Sequence, residues 1–513
     1  MHMRPMKLSI APLLAVVAVM GSACMDLDVT NSNTPDEDAV FNNPLNLEAA
    51  IGSTFHVFWG VAQGARTNAV YPAAQLAALG EDITSADAEV HAVTQEPRVE
   101  LDNKDAGGWT NRKPWYDLNE AMATARDALQ AIDRGVKIGL NSEDTPRASV
   151  FAKMMLGLGH VYLGLLFDQA FITDENTNPE TYNYEFSPYP QVIAHGIKLL
   201  EEAITEARAA PTNFTLPTSW INGQTVTRDD LVRVMYSYIV RALVYAPRGP
   251  TERAAVDWNR VLTLLPQGIT KDFQVQADLA ITSTHSSYLQ RTQLQTNARI
   301  DNHLLGPADT SGAYQTWLAT PNEQKQQVQF VTPDRRIHGA GGPTTRGTYF
   351  ERLATQTMTS ARGTYMHSRY RGVRYGTTYY QTGIIKTMTV QEMNFIRAEA
   401  LFRLDRRAEA AAILNPSRVA AGLRPVDENG PPAGRDCVPR KASGACGDLW
   451  DALMYEKRIE LNGVEAIIPF ADWRGWGRML KGSLIQFPVH GRELETLGKP
   501  YYTFGGSLPG SAP

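Results

Sequence analysis

Three cysteines, ten histidines, many carboxylates and a dense supply of aromatic rings are the side chains of this 513-residue sequence that could do chemistry. Their spacing restricts what that chemistry is. Cys24 follows the small residues Gly21-Ser22-Ala23, which is the arrangement of a lipobox whose thiol takes a thioether-linked diacylglyceryl group before cleavage. Gly21 stands where Leu is usual, and an ordinary secretory signal followed by a chance cysteine is the alternative. Cys437 and Cys446 then remain as an even pair on one short loop containing proline and glycine. In an oxidising compartment such a pair closes a disulfide, with two free thiols as the other outcome. Zinc would need further ligands, and the loop has neither a His nor a third Cys. The histidines, His160 and His195 among them, lack metal-ligand spacing and read as satisfied core or surface residues. No phosphate-cradling Gly-rich loop ending in Lys-Ser/Thr, no His-Glu-x-x-His and no Gly-x-Ser-x-Gly occurs. No catalytic residue, metal or cofactor is therefore expected. Carboxylate pairs such as Glu81-Asp82 and Asp87-Glu89 read as solvated acidic turns.

Binding is better supplied than catalysis. Nine Trp and twenty Tyr are generous, and a flat ring on an exposed loop offers a face to the C–H-rich side of a sugar. Trp109, Trp220, Tyr314 and Trp317 stand in loop-like contexts and are the candidate ligand-binding residues. Trp115, Trp258 and Trp450 lie on helical faces and, with Trp473 and Trp476, are assigned to packing. The stretch 362–380 interleaves Arg369, Arg371 and Arg374 with Tyr370, Tyr375 and Tyr379. A strand pair with Arg and Tyr facing across it is the leading reading, and a ligand-facing role the second. Nucleic-acid stacking is set aside, because 49 basic against 54 acidic side chains give a net charge of -5 and the N-terminus argues for export.

The elements that must position these residues are mainly helical. Arg4 and Lys7 precede an apolar run from Leu8 to Met20, about 20 Å long as a helix and too short to span a bilayer, so 1–23 reads as a signal peptide. Residues 24–44 are rich in Asn, Asp and Pro and read as a tether that begins to pack near Phe41. The remaining chain, 45–513, reads as one domain. Within Ser149 to Phe167, Phe151, Met154, Met155, Leu158, Val161, Tyr162 and Leu165 mark one helical face. Gly157, Gly159 and Gly164 fall in the same helix and imply a closely approaching neighbour. Further helices are expected over 114–134, 189–209, 228–246 and 251–265, and 391–404 with 406–420 reads as an αα-hairpin turning at Asp405. Residues 271–389 are only weakly periodic and predict loops or short strand pairs facing a ligand, before a helical segment over 390–513.

Four segments, in order, resemble the SusD/RagB family. They are Leu27 to Pro35; Trp115-Tyr116 running into Asn119-Glu120-Ala121; Thr389-x-x-Glu392 through Ala398-Glu399-Ala400, continued by Asn415, Arg418 and Ala421-Gly422-Leu423; and Glu456-Lys457-Arg458-x-Glu460-Leu461, followed by Asp472-Trp473-Arg474 and Phe487-Pro488-Val489. After Glu460-Leu461 the family has Glu-Gly-x-Arg, whereas this chain has Asn462-Gly463-Val464-Glu465 and so lacks the arginine. The resemblance implies a mostly α, SusD-like fold with tetratricopeptide-like helix pairs supporting an irregular ligand-facing subdomain. It also implies a SusC-like, TonB-dependent transporter as partner.

Two function classes follow. The first is a surface-exposed, lipid-anchored outer-membrane binder, not an enzyme, that takes an oligosaccharide or other oligomeric nutrient. The second is a periplasmic tetratricopeptide-like scaffold that binds proteins. Labelled fatty acid should enter the mature protein and be lost in Cys24→Ser, with about 0.8 kcal/mol of membrane affinity contributed per buried CH₂. Equal membrane retention of the Ser variant would refute the anchor.

Overall fold

The computed structural model describes residues 41–64, 72–86, 97–104, 109–293, 298–355, 368–376 and 378–512. Cys24, the signal peptide and most of the tether lie outside them. Thirteen helices carry the argument: α1 Pro44–Gln63, α2 Pro72–Leu79, α3 Trp109–Asp133, α4 Thr145–Leu166, α5 Tyr189–Ala209, α6 Arg228–Tyr245, α7 Pro250–Ala254, α8 Trp258–Leu264, α9 Ala313–Ala319, α10 Val390–Arg403, α11 Arg407–Ala420, α12 Leu449–Leu461 and α13 Ile467–Gly475. The mostly α class expected from periodicity holds. Helix α3 begins five residues before the expected start and carries Pro114 inside it, and the stretch 251–265 splits into α7 and α8.

Local signals fix the ends of several helices. Thr227 and Asp230 form a capping box at the start of α6, and Asp448 and Asp451 form another at the start of α12. Thr389 accepts the Glu392 amide to open α10. Between α10 and α11 the chain turns through Asp405 at φ 58°, the left-handed conformation that ends a helix.

In the N-terminal body α1, α3, α5 and α6 pack around α4. This is the one described helix long and apolar enough to cross a membrane, and 89% of its apolar window is buried inside the protein, which makes it a core helix. Its glycines admit neighbouring helices. A Cβ at Gly157 would lie 3.0 Å from the Gly196 carbonyl of α5, and one at Gly159 would lie 2.2 Å from Met122 of α3. The close approach inferred from the glycines is thus made to two different helices. Phe41 packs against this core, where the tether was expected to begin packing.

The region 271–389 holds short paired strands. Antiparallel β4 (Phe273–Gln276) and β8 (Ile384–Met388) pin its entry and exit together. β5 (Ala298–Ile300) pairs with β1 (Ile83–Ser85), and β6 (Phe350–Arg352) pairs with β7 (Tyr370–Gly372). In the last pair Arg371 faces Glu351 and Tyr370 faces Arg352, so of the Arg-Tyr stretch Tyr370 and Arg371 stand in a strand whose partner lies outside it, while Tyr379 opens a short helix, Tyr379–Thr382. A further pair joins β2 (Gln169–Ala170) to β3 (Ser187–Pro188). Ile300, Leu304, Trp317, Phe330, Phe350 and Tyr370 form a second, smaller core, which Tyr455 and Ile459 of α12 join.

The Gly157–Gly196 crossing is testable. A Cβ at position 196 would sit 2.8 Å from the Gly157 carbonyl and 2.9 Å from the Val161 amide, both backbone. Gly196→Ala should therefore destabilise by about 1–3 kcal/mol in urea melts, outweighing its gain in helix propensity. A stabilised variant would contradict the packing.

Candidate functional site

A cleft of about 630 Å³ opens where the C-terminal helices meet the second core. Three elements and a loop build it. Helix α12 contributes Trp450, Met454 and Arg458, spaced i, i+4, i+8 and therefore on one face. Helix α13 adds Trp473, and α9 adds Tyr314 with Leu318. The loop Pro439 to Ser443 forms the opposite wall. That loop is closed at its base by a disulfide between Cys437 and Cys446, and the Arg440 guanidinium donates to the carbonyls of Gly444 (2.7 Å) and Arg435 (2.8 Å).

The ring faces are held by cations and by other rings. Trp450 is half-buried, with the Arg403 guanidinium 4.5 Å from its centre and Trp476 edge-on at 5.7 Å. Trp473 is also half-buried, and the Arg458 guanidinium lies 3.8 Å from its centre. Tyr314 stacks on Trp317 at 5.9 Å and 17°, and the ring lies so close to the backbone that a Cβ at Gly306 would meet it at 2.2 Å.

Four basic side chains line the cleft, Arg440, Lys441, Arg458 and Arg478, against Glu81, Asp448 and Asp451. Lys441 pairs with Asp448 at 2.9 Å, and Arg458 donates to the carbonyls of Gly80 and Glu81 at 2.9 and 2.8 Å. At the base, Glu81 and Asp82 are only 2% and 1% exposed, so the solvated acidic turn expected there is corrected. The turn is wedged in: a Cβ on Gly80 would lie 2.6 Å from the Pro469 backbone. Asp82 accepts from Tyr288 (2.7 Å) and Asn462 (3.0 Å). The Glu81 carboxylate instead faces His303 Nδ1 at 3.7 Å, and its Oε1 has no hydrogen-bond partner. Burial pushes the Glu81 carboxyl above the usual range; His303 opposes this, Asp301 adds to it, and Arg458 and Arg98 oppose it.

The sequence-derived candidates divide. Tyr314 reaches the cleft wall, and Trp317 lies behind it, 4% exposed, under the Lys325 ammonium at 4.1 Å. Trp220 is not a loop platform: it is 4% exposed and packs on Phe151 at 4.7 Å in the N-terminal body, where Gly52 leaves room for its ring. Trp109 opens α3, and its side chain lies outside the described residues. Trp115, Trp258 and Trp476 are buried as assigned, but Trp450 and Trp473, also assigned to packing, line the cleft. Helical periodicity shows which face is apolar and cannot show that the space opposite is empty. His160 is fully buried between the Leu156 carbonyl and the Thr173 amide, which matches the satisfied-core reading. No His/Cys/Asp/Glu group among the described residues is arranged to hold a metal.

No family model and no curated protein matches the sequence. Solved structures do match the fold. A SusD superfamily protein from Parabacteroides distasonis superposes with TM-score 0.55 at 14% identity, over 88% of this chain and 96% of that one. The fold is SusD-like. A SusD-like carbohydrate-binding protein from Bacteroides fragilis gives TM-score 0.53 at 12% identity, over 85% and 87% of the two chains. A SusD superfamily protein from Bacteroides vulgatus gives 0.52 at 12% identity, over 86% and 89%. The SusD/RagB resemblance read from scattered segments thus holds at the level of the fold, and the helix pairs such as α10–α11 are those of the SusD-like architecture.

The raised carboxyl gives a pH test. The folded protein holds the Glu81 proton to higher pH than the unfolded chain, so ionising it costs stability as pH climbs from about 4.5 through the folded value. Glu81→Gln should therefore gain stability relative to wild type as pH rises above about 4.5 in denaturant melts. A difference that is flat with pH would contradict the assignment.

Proposed function

We infer that this protein is a lipid-anchored, surface-exposed outer-membrane binder that captures an oligosaccharide in the aromatic cleft and passes it to a SusC-like, TonB-dependent transporter. The observation that carries the binding step is the convergence of Trp450, Trp473 and Tyr314 on one cleft of about 630 Å³. Flat rings serve the apolar faces of sugar rings, and the polar groups between them serve hydroxyls. Solved relatives of the same fold include one described as carbohydrate-binding, which supports this ligand class. Because the cleft is built on helix ends and a disulfide-closed loop, little ordering is needed on binding.

Delivery rests on the N-terminus. A cysteine anchor followed by a polar tether holds binder and transporter at high effective concentration while leaving the binder free to swing. No catalytic constellation was found in the sequence, and the cleft is read as a site of capture and release without turnover.

Oligosaccharide binding measured by calorimetry should weaken about tenfold in Trp450→Ala, or ~1.4 kcal/mol, with the fold retained. The substrate should be recovered intact after long incubation, and a TonB-dependent barrel should co-purify from native membranes. Undiminished binding by the variant, or cleavage with turnover, would overturn the reading.

A further inference from the structure

The base of the cleft carries a group that packing does not account for. Glu81 lines the cleft yet is 2% exposed, and its Oε1 has no hydrogen-bond partner. A buried carboxylate oxygen without a donor is costly, and such groups persist where a ligand completes them. The backbone fixes where this side chain starts. Glu81, at φ 57°, is the left-handed residue that closes α2: its amide donates to the Ala78 carbonyl and the Asp82 amide donates to the Ala77 carbonyl. The fold holds this turn in place, because a Cβ on Gly80 would meet the Pro469 backbone at 2.6 Å and Arg458 donates to the Glu81 carbonyl at 2.8 Å. The other oxygen, Oε2, faces His303 Nδ1 at 3.7 Å, and His303 also contacts Asp301 at 2.7 Å, so the carboxylate is oriented from behind. The edge of the His303 ring in turn meets Trp317 at 5.1 Å, which ties this cluster to the stacked Tyr314–Trp317 wall.

We propose that Glu81 is the specificity-determining acceptor of the cleft, taking a hydrogen bond through Oε1 from a hydroxyl of a neutral sugar ring seated against the aromatic wall. The inference rests on the oligosaccharide reading of this cleft and adds the group that selects among oligosaccharides. A neutral donor is favoured over an ammonium, because four cationic side chains line the cleft against three carboxylates and give no negative field to draw in a cation. An acceptor oxygen fixed in place by the fold makes the hydroxyl contact directional, so one position on the sugar is read.

The test is a glycan array with the purified lipoprotein and its Glu81→Gln variant, followed by titration of the best neutral hit and its monodeoxy analogues. Wild type should bind neutral oligosaccharides, and Glu81→Gln, folded by its melting curve, should bind them at least tenfold more weakly. One monodeoxy analogue should lose about tenfold against wild type and little against Glu81→Gln, a coupling that a purely structural role would not produce. If Glu81→Gln does not fold, Glu81→Asp keeps the charge, withdraws it by one methylene and should show the same selective loss. Equal binding by the folded Gln variant overturns the Glu81 assignment while leaving the cleft a sugar site. Selective capture of amine-bearing oligosaccharides overturns the neutral-hydroxyl assignment. Absence of any glycan binding by wild type overturns the oligosaccharide reading itself, and this inference with it.

Discussion

One helix holds the protein together through two glutamates. Glu392 and Glu399 are seven residues apart on α10, hence on the same face, and both are fully buried. Each takes an arginine in a two-pronged bond: Arg241 of α6 meets Glu392 at 2.8 and 2.6 Å, and Arg253 of α7 meets Glu399 at 2.9 and 2.7 Å. The same arginines reach further. Arg241 also donates to Glu465 at 2.8 Å, and Arg253 to Asp472 of α13 at 2.9 Å. The N-terminal body is thereby fastened to the C-terminal segment through groups that water cannot reach. Such pairs add little net stability against an apolar replacement, but breaking one leaves a buried charge costing about 3–5 kcal/mol.

Helix α12 carries the same device outward to the cleft. Glu456, Lys457 and Arg458 are consecutive, so each points about 100° from the last. Glu456 meets Arg418 of α11 and Arg336 of the irregular region, Lys457 meets Asp472 of α13, and Arg458 reaches the Gly80-Glu81-Asp82 turn. Four parts of the chain are thus placed around one helix, and Trp450 and Met454 of that helix line the cleft. A site built this way is positioned by buried ionic bonds before any ligand arrives.

Much of the scaffold was legible in the sequence because its signals are local. The period of α4, its glycines and the Asp405 turn each follow from residue type and spacing. The family-like segments are legible for the same reason the fold holds: Thr389, Glu392 and Glu399 are a cap and two buried anchors. Where the chain departs from the family at Glu465, the consequence was not legible. In place of an arginine, the Glu465 carboxylate accepts from Arg241, Thr387 and the Tyr162 hydroxyl, partners 224, 78 and 303 residues away in sequence. The cleft was hidden for a similar reason. Trp450 and Trp473 sit on helices with buried faces, and only the tertiary arrangement shows that the disulfide loop stands back from them. Loop-like context misplaced Trp220, since the Pro- and Gly-marked segment around it folds down onto Phe151.

The central claim is that this ionic scaffold presents a preformed aromatic cleft to a sugar. A crystal structure of the protein soaked with a bound oligosaccharide tests it most directly. The account predicts sugar rings lying against Trp450 and Trp473, with α10, α12 and α13 unmoved from the unliganded structure. Sugar bound elsewhere with this cleft empty, or a cleft that forms only by displacement of α12 from Arg336 and Arg418, would contradict it.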